Sequence, residues 1–424
     1  MSIIEASRKH FSQEEPNSLV SLNKVCNILS ENNEFVMDVL DCFFIKNDKQ
    51  SLKMPIIIGN TKQLLDDIKQ LDLQTEKIDV TVNLKDIFLE HILENDHVLF
   101  HIYGLQDPDL LKAIKADHLV VESQYSSRGD IMEYYQFSKF SKFLHANDMD
   151  AYAKQIWDKL RVEANKNIKC MARLIYHKAD EKFYIRAVTS ENGYKKYGVN
   201  FSILVTLLAI NDYVQNRQEH AFIESYNIDD SHIIMSIQFD RKIKLDDDMY
   251  LTLGISLEND EIRQSSVSLN AEFKVIYQNE KKESSIILKP SRYQKAQGNY
   301  SEDMLTFTHG MNVKTAIEKI SDLPILIDRF IELISNNAIG IKSIKDPNQV
   351  KDFIQHKIQN SRKEEFIGYK EAVVRKLTRI DVNSVFDLFE LLRDVEELFG
   401  DDILSRNFWR QKLYDVLINH GRDE

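Results

Sequence analysis

The stretch Met249-Tyr250-Leu251-Thr252-Leu253-Gly254-Ile255-Ser256-Leu257-Glu258 alternates apolar and polar residues without a break. Period two turns successive side chains to opposite faces of a strand, so Met249, Leu251, Leu253, Ile255 and Leu257 share one side and Tyr250, Thr252, Gly254, Ser256 and Glu258 the other. Residues 266–277 repeat the pattern, with Val267, Leu269, Ala271, Phe273, Val275 and Tyr277 set against Ser268, Asn270, Glu272 and Lys274. Residues 168–190 and 231–239 read the same way, and polar turns at 178–181, 229–230 and 278–282 separate the runs. An antiparallel sheet is the expectation for this region. One helix interrupts it, at 201–217: its apolar core 203–210 reads as buried, and Leu204, Leu207, Leu208 and Val214 form a stripe suited to packing on the sheet.

On the N-terminal side, 35–45, 55–58, 78–82 and 98–102 look like strands, while 61–71 and 84–93 space apolar residues three and four apart. Acids outnumber bases there, so residues 1–130 are expected to form an acidic α/β domain. Residues 131–166 read as a helical connector broken near 145–149, and 167–310 as the β-rich domain, closed by a polar loop at 291–310. Residues 311–424 form a helical C-terminal domain, with helices expected at 313–335, 349–360, 364–378, 384–399 and 404–418. Asp346-Pro347 and Asn383-Ser384 mark helix starts. The fold class is thus α+β: an N-terminal α/β unit, a central antiparallel sheet with a packed helix, and a C-terminal helical region. No 20–50-residue period repeats, which disfavours a solenoid or propeller.

Composition narrows the function classes. The chain has 424 residues, 43% hydrophobic, and 55 basic against 67 acidic residues give a net charge of −12, which argues against non-specific coating of nucleic acid. Any such contact must be local. Twelve Gly and six Pro exclude linker-dominated and collagen-like classes. Three cysteines without a CxxC pair favour neither a disulfide framework nor a zinc cage, and a cytoplasmic location is expected. The N-terminus lacks an apolar core of signal-peptide length and no run approaches 18 apolar residues, so no membrane partner is expected.

If the central strands share one sheet, its polar side gathers Lys169, Arg173, Tyr184, Arg186, Tyr250 and Lys274, with His177 and His232 nearby. Cations interleaved with rings can hold a phosphate backbone and stack bases; the plainer reading is an ordinary solvated sheet face. The segment 341–379 is locally basic and includes Arg375, Lys376 and Arg379, which suit either solvent, nucleic acid or the acidic domain of another copy. Glu272-Phe273-Lys274 with Asp260 upstream matches the Asp…Glu-x-Lys layout of Mg²⁺-dependent nucleases, in which two carboxylates hold the metal and the lysine steadies the attacking water. The triplet has low specificity: Asp67-Ile68-Lys69 and Asp180-Glu181-Lys182 have the same form. His91, Glu94, Asp96, His97 and His101 cluster in sequence, but 98–102 reads as a strand that separates them, so no metal site is assigned. Ile56-Ile57-Ile58 followed by Gly59-Asn60-Thr61-Lys62 lacks the second glycine of a phosphate loop and reads as an ordinary βα turn. GxSxG, HExxH, GxGxxG and EF-hand patterns do not occur, which leaves serine hydrolases, zincins, dinucleotide binders and calcium sensors without sequence support.

Phe183-Tyr184-Ile185-Arg186-Ala187-Val188-Thr189-Ser190, followed by Tyr194 and Tyr197, resembles the opening block of a family of uncharacterised proteins carried by phages and plasmids. Leu253 to Glu261, Thr308-His309-Gly310 and Val385-Phe386-Asp387-Leu388-Phe389 are similar in order, so the resemblance spans roughly residues 167–400. It implies a mobile-element or anti-phage setting and transfers no catalytic residues. The leading expectation is a binding protein contacting nucleic acid or a partner protein, without a cofactor. The alternatives are a Mg²⁺-dependent nuclease using Asp260, Glu272 and Lys274, and a structural subunit that self-associates through its acidic front and basic tail.

Overall fold

A computed structural model describes residues 5–43, 53–163, 168–191, 194–262, 266–279, 282–290, 304–338, 341 and 344–418. The long alternating strands form two sheets. In the larger, Ser7–His10, Ala221–Ile228, His232–Phe239, Met249–Asp260, Val267–Asn279 and Lys282–Leu288 follow one another, each antiparallel to the next. Ile58–Gly59, Ile243–Lys244 and Met304–Phe307 pair onto it off this path. The smaller sheet runs Thr75–Asn83, Lys169–His177, Lys182–Ser190, Leu119–Ser123, Val98–Ile102, Ile87–Ile92, with a parallel pair between Lys182–Ser190 and Leu119–Ser123. The architecture is α+β, as the sequence pattern implies.

The expectation that the central strands share one sheet is overturned. The hairpin of Lys169–His177 and Lys182–Ser190 pairs with Thr75–Asn83 and Leu119–Ser123, and the strands from Ala221 onward pair among themselves. Both sets have the same period, and period does not name the pairing partner. Two N-terminal elements also differ from expectation. The apolar run at 35–45 contains a helix, Val36–Cys42, because Val36, Val39 and Leu40 are three and four apart. The supposed helix at 84–93 is one 3₁₀ turn, Leu84–Asp86, then the strand Ile87–Ile92, whose Ile87 and Leu89 are buried in alternation. The expected loop at 291–310 lies largely outside the described residues.

The helix Val199–Arg217 is buried at every position from Val199 to Ile210, rather than along one stripe. Leu22–Leu29 and Leu323–Ala338 pack against it as well as the large sheet, so an all-round apolar surface is satisfied in an interior layer. The second face of that sheet is covered too. Val385–Glu396 and Ile403–Leu417 pack against Lys282–Leu288, and Ile403–Leu417 also meets Ala221–Ile228. On the smaller sheet, Trp157 of the helix Asp150–Glu163 is fully buried and its indole Nε1 donates to Ile87 O at 2.9 Å.

Helix starts follow the sequence signals closely. Asp346 accepts from the backbone N–H groups of Asn348 and Gln349 ahead of Pro347–Gln359, and Ser384 accepts from Asp387 N ahead of Val385–Glu396. The single helix expected at 313–335 is two, Val313–Ser321 and Leu323–Ala338, since Pro324 belongs in the first turn of a helix and not in its interior.

Among the described residues, three strand pairs shift register by one residue, and the extra residue is charged each time: Glu90, Arg186 and Glu224. A bulge re-aims one side chain out of the alternating pattern. Glu90 meets Lys154 at 3.0 Å, Arg186 meets Glu261 at 2.9 Å, and Glu224 meets Arg410 at 2.6 Å.

Candidate functional site

Where the two sheets meet, a cleft of about 310 Å³ opens among charged side chains. The smaller sheet supplies Lys77, Asp79, Arg173 and Arg186; the lead-in to Val199–Arg217 supplies Lys196 and Gly198; and Glu261 follows directly on Met249–Asp260. Asn32 and Asn33 close one side from the segment after Leu22–Leu29.

Glu261 organises this junction. Its carboxylate accepts from Lys77 Nζ at 2.8 and 3.0 Å, from Arg186 Nη1 at 2.9 Å and from the backbone N–H of Val199 at 2.8 Å. Burial alone would raise its pKa; the Lys77 and Arg186 charges and the Val199 amide outweigh that and hold it well below the usual carboxylate range. The same Arg186 nitrogen donates to Asp230 O and Ser231 Oγ, both at 3.0 Å, so the bulge residue of one sheet grips a turn of the other. Lys196 pairs with Asp79 at 3.1 Å.

Arg173 is different. It is 4% exposed, lines the cleft, and forms neither a hydrogen bond nor an ion pair among the described residues. Its guanidinium lies 4.2 Å from the Tyr194 ring centre, and the Tyr194 ring stacks on His309 at 4.5 Å. Burial pushes the His309 pKa down to about 4, so this imidazole is neutral at pH 7. Three buried polar atoms of the cleft lining lack a partner among the described residues: Arg173 Nε, Arg186 Nε and Asn33 Nδ2. All three are donors. All belong to residues that line one cleft, and a buried donor left unpaired costs roughly 1–3 kcal/mol.

The residues singled out from the sequence are not gathered on one exposed face. Arg173 and Arg186 enter the cleft, whereas Tyr184 of the same hairpin is buried and donates to Asp180 at 2.6 Å. Lys169 is exposed at the start of its strand. Tyr250 and Lys274 belong to the larger sheet and are half-buried. Arg375 and Arg379 are exposed on Glu364–Arg379, and Lys376 donates to Asp394 O at 2.6 Å. The polar side of the large sheet is largely buried, as Ser236, Thr252, Ser256 and Glu272 show. Lys169, Arg173, Tyr184 and Arg186 thus belong to the smaller sheet and Tyr250 and Lys274 to the larger, so they do not share one sheet face.

The nuclease triad is not assembled either. Glu272 stands opposite Gly254, while Asp260 is six residues further along that strand, roughly 20 Å away at the rise of a β-strand. Glu272 is fully buried, accepts from Ser236 Oγ at 2.5 Å, and has Lys289 at 3.4 Å and Arg410 at 3.8 Å. Asp260 accepts from Ile262 N and lies 3.7 Å from His232. The two carboxylates cannot share one metal ion.

Glu261, Asn33, Lys77 and Lys196 were not distinguishable from other polar residues in the sequence. Glu261 does close the Leu253 to Glu261 block that carries the phage and plasmid resemblance, but the block says nothing of its role. No protein-family model, curated protein or solved structure matches the chain. No helix among the described residues is long and apolar enough to cross a membrane.

Proposed function

We propose that the protein works by binding, and that the cleft between its sheets receives a phosphate group of a small ligand. The observation that carries this reading is Arg173: a buried guanidinium without a counter-ion, beside two further unpaired donors. Arg186 and Lys77 already share Glu261, and Lys196 holds Asp79, so Arg173 is the buried cation of the lining left over once these pairs are formed. A phosphate fits better than a carboxylate. Its three terminal oxygens offer acceptors in several directions, matching donors that come from Asn33 and from two strands, and arginine forks suit it. The cleft volume is at the small end of ligand sites, which favours a single phosphorylated group over a length of polymer. The sequence-level expectation of nucleic-acid contact narrows on this reading to one phosphate-bearing unit.

Calorimetric titration and thermal melts with inorganic phosphate, pyrophosphate and a 5′-mononucleotide test this, with acetate as the carboxylate control. A phosphate-bearing probe is expected to bind and raise Tm in the native chain, and to do neither in Arg173→Met. The reading fails if none of the probes binds, or if Arg173→Met binds as well as the native chain.

A further inference from the structure

A second concavity lies on the far side of the smaller sheet, beside the helix Pro108–Ile114, and has a volume of about 620 Å³. Its floor is apolar, built from Ile78, Leu110, Phe183 and their neighbours, and its rim carries Glu76, Asp107, Asp109 and Glu181. No basic residue lines it among the described residues. None of the four rim acids forms an ion pair among the described residues, although Asp107 caps the helix by accepting from Asp109 N and Leu110 N. An apolar trough with uncompensated acids fits a cationic helix with apolar residues on the same face.

The chain carries such a helix. Along Glu364–Arg379, Ile367, Glu371, Arg375 and Arg379 are exposed and four residues apart, which places them on one face, and Ile380 follows, also exposed. Arg375 and Arg379 form no ion pair among the described residues, and the acids of the trough and these cations do not meet within one copy. Glu371 is the single acid in the stripe. The buried side of the helix, Phe366, Val373 and Leu377, is committed to the C-terminal bundle. We infer that the acidic trough of one copy docks the exposed face of Glu364–Arg379 of a second copy. The arginines face the rim, and Ile367 and Ile380 meet the apolar floor. The contact is heterologous, joining two different patches, so it repeats either around a ring or along a chain.

Sedimentation velocity of the full chain over a concentration series at low and high salt reads the association directly. The native chain is expected to associate at low salt and to separate at high salt, because salt screens the attraction between exposed opposite charges. Asp109→Lys with Glu181→Lys in one variant, and Arg375→Glu with Arg379→Glu in another, are each expected to weaken association about tenfold or more. An equimolar mixture of the two variants restores complementary charge and is expected to associate again. That recovery separates a lost contact from a misfolded chain. The proposal is overturned by a chain that stays monomeric throughout, by association that neither variant weakens, or by variants that fail to recover on mixing. It is also overturned if a monomeric chain retains a single-stranded oligonucleotide and loses it in Arg375→Glu with Arg379→Glu, which would assign the helix to nucleic acid instead.

Discussion

Arg186 donates to the Glu261 carboxylate at 2.9 Å, and this bond joins the bulge of the smaller sheet to the end of a strand in the larger one. Both side chains are buried, and Glu261 is shared with Lys77 and with the first turn of Val199–Arg217. Glu261→Gln removes the carboxylate shared by buried Arg186 and half-buried Lys77 and is expected to cost about 3–5 kcal/mol. Arg186→Met leaves Lys77 and Val199 still satisfying the carboxylate, so a smaller loss of about 1–3 kcal/mol is expected. Urea unfolding of the two variants checks the order; an Arg186→Met loss exceeding that of Glu261→Gln would contradict the central place given to Glu261.

His232 supplies a pH dependence at the same junction. Burial lowers its pKa, but its bond to Asp229 and the charges of Asp229, Asp260 and Asp230 outweigh burial and leave it raised above 6.5. The Tyr125 ring packs edge-on against it, with the Tyr125 hydroxyl donating to Asp230. A raised histidine pKa contributes stability that is fully present below 6.5 and lost as pH rises through the folded value. Urea midpoints at pH 6 and pH 8.5 are expected to show the native chain weaker at the higher pH, and His232→Gln is expected to shrink that difference. An unchanged difference in the variant would remove His232 as its source.

Gly254 is required by close approach. A Cβ there would lie 2.8 Å from Gln238 Cδ, and Gln238 is itself buried beside Glu272 and Ser236. Gly254→Ala is expected to cost about 1–3 kcal/mol through overpacking, and a Gln238→Ala background is expected to relieve most of it. A double-mutant cycle by chemical denaturation measures the coupling; additive losses would show that the crowding is not between these two side chains.

The two N-caps recognisable from the sequence give a local test. Asp346→Ala and Ser384→Ala each remove a side-chain acceptor for first-turn amides, and each is expected to cost about 1 kcal/mol by thermal or urea unfolding. The chain should keep any association it shows in both variants.

Signals that act within a few residues were legible in advance. The strand Met249–Asp260 alternates as its residues require, Pro347–Gln359 begins where Asp346-Pro347 says it must, and the alpha-plus-beta class follows from the run of periods. The misread segments are short apolar ones. Val36–Cys42 and Ile87–Ile92 hold too few apolar positions to separate a period of two from one of 3.6. Of the candidate site, Arg173 and Arg186 were marked as notable cations, but for an open face, and Glu261 stood out only as the end of a resemblance block, with no role.

The amino-acid order alone determined where most strands and helices lie and which side chains of each strand share a face, because those properties depend on neighbours two to four positions away. Tertiary structure alone decided that the strands divide between two sheets, that a helical layer covers the polar face carrying Glu272, and that Arg173 and Asn33, each with an unpaired buried donor among the described residues, line one cleft. Those outcomes depend on contacts such as Arg186 with Glu261, whose partners are 75 residues apart in the chain, and local pattern carries no record of which distant surface will close over a face.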